Sequence, residues 1–169
     1  MSSNDNANAK AIATGGVFAA MAVVIMCLGG ALHIATYVCP LLCAIILQIV
    51  LKSCGARIAW AWYVAVSLLS LLLGPDKEAA AVFLFIGYYP ILKPRIDRLP
   101  LKWLWKGLLF NAAILLMYWL LINVMGLTQV TEGFGELGTW GAVILLILGN
   151  VVFFLLDILL GKRSYGRKK

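Results

Sequence analysis

Between Lys52 and Glu78 the chain reads KSCGARIAWAWYVAVSLLSLLLGPDKE. An apolar run from Ala56 to Leu73 is closed on one side by Gly55 with Lys52 and Arg57 nearby. Gly74-Pro75 closes the other side, followed by Asp76 and Glu78. At ~1.5 Å per helical residue the run can cross roughly 30 Å of hydrocarbon. Basic residues gather at one mouth and carboxylates at the other, which is how membrane helices record orientation, with Lys and Arg kept on the cytoplasmic side.

The same punctuation recurs along the rest of the chain. Short polar breaks set off further spans at about Ala11–Leu32, Tyr37–Leu51, Pro75–Leu92, Lys102–Met125 and Thr139–Leu160. With Ala56–Leu73 these predict an all-α, polytopic integral membrane protein: a six-helix transmembrane bundle with both termini cytoplasmic. The second and fourth spans are short and call for local bilayer thinning or protein surroundings. Residues 1–10 read as a polar cytoplasmic tail, 11–160 as the transmembrane domain and 161–169 as a basic cytoplasmic tail.

Alternating the sides sorts the charges. One side receives Lys10, Lys52, Arg57, Lys93, Arg95, Arg98, Lys102, Lys106, Lys162, Arg163, Arg167, Lys168 and Lys169, whereas the other holds Lys77 with Asp76, Glu78, Glu132 and Glu136. Five or seven spans would scramble this sorting. The tryptophans fit the same frame, with Trp60, Trp62, Trp103 and Trp105 at inner helix ends and Trp119 and Trp140 toward the outside, where amphipathic rings favour the interface. The expected location is the plasma membrane, multi-pass.

Composition narrows the function classes. The chain of 169 residues is 63% hydrophobic and 12% charged, too apolar for a soluble domain of that length. Its net charge of +7 sits at span ends, so it reports topology and attraction to anionic lipid, and nucleic acid is not expected as a partner. The run from Ala11 is too long for a signal-peptide core and reads as a retained first span. Neither an internal repeat nor a low-complexity linker is evident. The four cysteines read as small apolar residues. Neither they nor the single histidine, His33, completes a metal set, and no nucleophile–base pair or phosphate-cradling loop stands at motif spacing. No enzyme activity, metal or cofactor is expected.

What remains are binding features. On the first span Ala11, Gly15 and Ala19 recur every four residues, with Gly16 and Ala20 alongside. Small side chains let two helices approach closely in lipid, and the rows serve either the protein's own helices or a partner subunit. Pro75, Asp76 and Glu78 begin the fourth span as capping residues or as carboxylates facing an outward pocket. His33 beside Thr36 and Tyr37 is an interfacial polar group or a pocket residue. Trp119, Asn123, the loop carrying Glu132, and Trp140 offer the aromatic and hydrogen-bonding mixture of small-molecule sites. Deeper in the spans, Asn111 and Asn150 read as interhelical hydrogen-bond partners, and Asp157 as a snorkelling or paired carboxylate in preference to a proton relay. Lys93–Trp103 reads as a basic, proline-bounded segment along the inner surface.

With six basic-inside spans and the small-residue rows of the first one, the chain resembles the substrate-binding (S) components of energy-coupling factor (ECF) transporters. Pro75–Glu78 and Gly87–Lys93 are also similar to stretches of small bacterial membrane proteins. The resemblance covers the whole chain. It implies capture of a vitamin-like small molecule from outside and its delivery to a transmembrane coupling subunit with two cytoplasmic ATPases. In that family substrate lies among the outer parts of the fourth to sixth spans, which nominates Asp76, Glu78, Asn123, Glu132 and Trp140. The first span would be the coupling surface. The short connection from His33 to Thr36 departs from the family, where this loop often acts as a lid. A competing reading is a small membrane scaffold or assembly protein without a ligand, docking partners through its basic inner surface.

Overall fold

A computed structural model describes residues 3–31, 36–123 and 138–165, and among these the protein is all-helical. The helices are α1 (Ser3–Ala31), α2 (Val38–Cys54), α3 (Ala56–Leu73), α4 (Lys77–Ile86), α5 (Tyr89–Ile96), α6 (Lys102–Asn123) and α7 (Gly138–Tyr165). They divide into two compact units, Met1–Arg95 and Ile96–Lys169.

In the first unit α1, α2 and α3 pack on one another, and α4 packs on α2 and α3. The joint between α2 and α3 is one residue, Gly55, at φ 88°. A side chain at that left-handed angle would be strained, so glycine permits the tight reversal. Its carbonyl accepts from Ala59 N at 3.0 Å and starts α3. Cys43, Leu47 and Val50 recur at helical spacing on the buried face of α2, and Ala59, Trp62, Val66 and Ser70 on that of α3. Phe83 of α4 closes this core, its ring meeting Trp62 edge-on at 6.3 Å and Tyr63 at 5.9 Å.

The opposite faces are apolar too. Ile12, Val17, Val24 and Leu28 of α1 and Val64, Leu68 and Leu72 of α3 are exposed. Apolar residues on both faces suit a helix bathed in lipid. Among the described residues four segments are long and apolar enough to cross a membrane: Asn8–Gly29, Ala56–Leu73, Lys77–Ile96 and Lys102–Leu120. Val38–Cys54 and Leu146–Gly161 are shorter apolar helices. These features are compatible with a membrane protein.

Three boundaries differ from the sequence-based expectation. Helix α1 begins at Ser3, so most of the polar tail continues the first helix. The expected helix Pro75–Leu92 is broken into α4 and α5 around Gly87 and Tyr88. Pro90 has no N–H for the carbonyl four residues earlier, Ile86, and its ring crowds that carbonyl; α4 ends at Ile86. Finally, Lys93–Trp103 is not one surface segment. Lys93 to Ile96 finish α5, Lys102 and Trp103 begin α6, and only residues 97–101 form the turn between.

In the second unit α6 packs on α7. Phe110 stacks on Phe153 at 4.6 Å, and Trp103 meets Phe154 at 5.7 Å.

Candidate functional site

The polar groups of the first unit collect at the end where α2 begins and α3 gives way to α4. Asp76 has extended backbone angles and caps α4, its Oδ1 accepting from Ala79 N at 3.0 Å. Its Oδ2 accepts from Thr36 Oγ1 at 2.7 Å, tying the start of α2 to that of α4. In parallel, Tyr37 donates its hydroxyl to Glu78 Oε1 at 2.8 Å. Lys77 turns the other way and donates to the carbonyls of Leu71 and Gly74 at 2.8 and 2.9 Å. It thereby satisfies carbonyls left over at the end of α3. This explains why the one lysine stands among carboxylates: it closes a helix.

Asp76, Lys77 and Glu78 are half-buried, and Ser70, one turn before the end of α3, is fully buried. Among the described residues its Oγ has no hydrogen-bond partner, nor have Trp62 Nε1 and Ser67 Oγ, and a buried hydroxyl left so costs about 1–3 kcal/mol. Ala79 and Ala80, at the start of α4, are buried too. Chemically this end is a rim of side-chain hydrogen bonds that ties the starts of α2 and α4 together and closes the end of α3. Asp76 uses both oxygens within the chain, so its first role is to cap and tie.

The other site residues expected from sequence fall as follows. Trp119 and Asn123 belong to the second unit; Trp119 is exposed, and Asn123 Nδ2 donates to Trp119 O at 2.8 Å, one turn back. His33, Glu132 and the side chain of Trp140 lie outside the described residues. The two small-residue rows of α1 part company. Gly15 is buried, and a Cβ there would stand 3.1 Å from Ile58 Cγ2, so it packs against the chain's own α3. Ala11 and Ala19, on the same row, are half-buried. Gly16 and Ala20 are exposed, with nothing within 4 Å of a Cβ at Gly16.

The second unit holds a charged cluster that the charge-sorting argument missed. Lys106, expected at the aqueous surface, is only 2% exposed. Its Nζ lies 2.9 and 3.1 Å from the two oxygens of Asp157 and 2.5 Å from Asp97 Oδ1. The signal was present in the sequence, since Lys106 and Asp157 are opposite charges each about a turn inside an apolar run. Deeper along the pair, Asn111 and Asn150 exchange two hydrogen bonds at 3.2 and 3.0 Å, the pairing that an amide in hydrocarbon requires.

Among the described residues no group of three or more His, Cys, Asp or Glu is placed to hold a metal ion. Comparison with protein-family models, with curated proteins and with solved structures returned no match to this chain.

Proposed function

We propose that the protein is a six-span plasma-membrane protein with both termini cytoplasmic, serving as the substrate-capture subunit of an ECF-type uptake transporter. In that orientation the Thr36–Glu78 end of the first unit faces outward and receives a small, vitamin-like molecule. The observation that supports capture is the Ser70 hydroxyl, buried one turn before the end of α3 and without a hydrogen-bond partner among the described residues. A buried hydroxyl without a partner calls for an explanation, and a polar ligand reaching past the rim would supply one. Gly16 and Ala20, exposed on α1, give a coupling subunit a place for close helix approach.

Gentle detergent extraction followed by native mass spectrometry tests both halves of this proposal. The expected result is a small molecule retained by the wild type and lost from Ser70→Ala and Glu78→Gln, together with a co-purifying coupling subunit and ATPases. Protein that carries neither ligand nor ATPases when extracted from cells in the mildest detergent would overturn the transport reading.

A further inference from the structure

The turn between α5 and α6 presents an unusual surface. Residues 97–105 are all exposed, and Lys106 is the first residue of α6 to be buried. Within this stretch Leu101, Leu104, Trp103 and Trp105 leave between 50% and 73% of their surface uncovered. Two cations, Arg98 and Lys102, are exposed among them, and neither is in an ion pair among the described residues. The one carboxylate of the stretch, Asp97, is held by Lys106 instead. The surface therefore combines large apolar and aromatic side chains with positive charge that no described residue neutralises.

We infer that this surface, centred on Arg98, Lys102, Trp103 and Trp105, is a binding site for anionic phospholipid headgroups. Tryptophans at this density suit the headgroup level of a bilayer, where the ring is half in hydrocarbon and its N–H is hydrated. The two cations then meet the phosphate layer, and each Lys or Arg near an anionic surface is worth roughly a fivefold preference. Together Arg98 and Lys102 give about a 30-fold preference for an anionic over a zwitterionic lipid of the same chains. Charge complementarity selects the occupant: the uncompensated charge is positive and the surrounding side chains are those of an interface.

The inference rests on the membrane reading of the fold but not on transport. The test uses the full chain in detergent, titrated with phosphatidylglycerol or phosphatidylcholine and read by native mass spectrometry as apparent dissociation constants for bound lipid. Wild type is expected to prefer phosphatidylglycerol by about 30-fold. Arg98→Gln with Lys102→Gln should reduce the preference to near unity at unchanged helicity, and Arg98→Lys with Lys102→Arg should keep it. Equal affinity for the two lipids in wild type, or a preference that survives the double glutamine variant, overturns the inference. So does a co-purifying protein lost from the glutamine variant while lipid preference stays, because the surface is then a protein docking face. Protein released from membranes by alkaline carbonate without detergent would defeat the membrane reading itself, a distinct result.

Discussion

Replacing Lys106 by methionine is expected to destabilise the second unit far more than any change at a neighbouring lysine. Lys106 and Asp157 have side chains 3% and 5% exposed, so their charges are compensated by each other and by Asp97, not by water. Removing the lysine takes the α6 cation away from buried Asp157, and breaking a buried pair in this way costs about 3–5 kcal/mol. Asp157→Asn should cost less, about 1.5–3 kcal/mol, because Lys106 keeps Asp97 and an amide oxygen still accepts. The double variant Lys106→Met with Asp157→Leu should recover most of the loss, since apolar replacement of a whole buried pair is often neutral. Lys102→Met, at an exposed position one turn away, should stay within about 0.5 kcal/mol of wild type. Denaturant titration in detergent micelles, followed by tryptophan fluorescence, measures these differences. Trp103 reports locally, with Lys106 5.4 Å from its ring and Phe154 of α7 packed against it. If Lys106→Met is no more destabilising than Lys102→Met, or if the double variant is as unstable as the single one, the buried pair does not hold α6 to α7.

Three further outcomes follow from the packing. Asp76→Ala should cost about 1–2 kcal/mol through loss of the α4 cap, whereas Asp76→Asn, still able to cap, should cost less than half of that; chemical denaturation compares the two. Gly15→Leu drives a side chain into Ile58 and should destabilise by about 1–3 kcal/mol, while Gly16→Leu enters open space and should leave the melting midpoint unchanged. A loss of partner association in Gly16→Leu at unchanged stability marks the exposed row as a docking face. Asn111→Leu should cost about 0.6–1.7 kcal/mol, and adding Asn150→Leu should cost little more, because the second amide has already lost its bonds to α6 and keeps only that to Leu146 O on its own helix.

The helical architecture was legible because membrane helices leave coarse marks. Gly55 and Gly74-Pro75 bracket α3 at the residues expected, Ala56 to Leu73. The break at Gly87 was less visible, since the flanking residues are apolar enough to read as one span and only Pro90 disfavours a continuous helix. Charge sorting treats every lysine at a span end as wet, and Lys106 shows where that shortcut fails. Four residues into α6, a lysine with a carboxylate on the neighbouring helix can be buried, and the sequence separation to Asp157 hides the match. The candidate site was legible by residue type but not by use. Asp76 could be nominated as polar and outward, yet only coordinates show its two oxygens engaged by Ala79 and Thr36. Nothing in sequence singles out Ser70, because a serine inside an apolar run is ordinary; its significance comes from burial without a partner among the described residues. Gly15 and Gly16 head adjacent rows that sequence offers for the same use, and only Gly15 faces α3, because adjacent helix positions point about 100° apart.

The sidedness of the chain carries the proposed outward site, and site-directed labelling measures it most directly. In a cysteine-free background, Glu78→Cys with tags at both termini is exposed to a membrane-impermeant thiol reagent and to tag antibodies in intact cells. The account requires labelling at position 78 from outside, with both tags reached only after the membrane is permeabilised. Tags on opposite faces, or a position 78 labelled only from the cytoplasmic side, would contradict it.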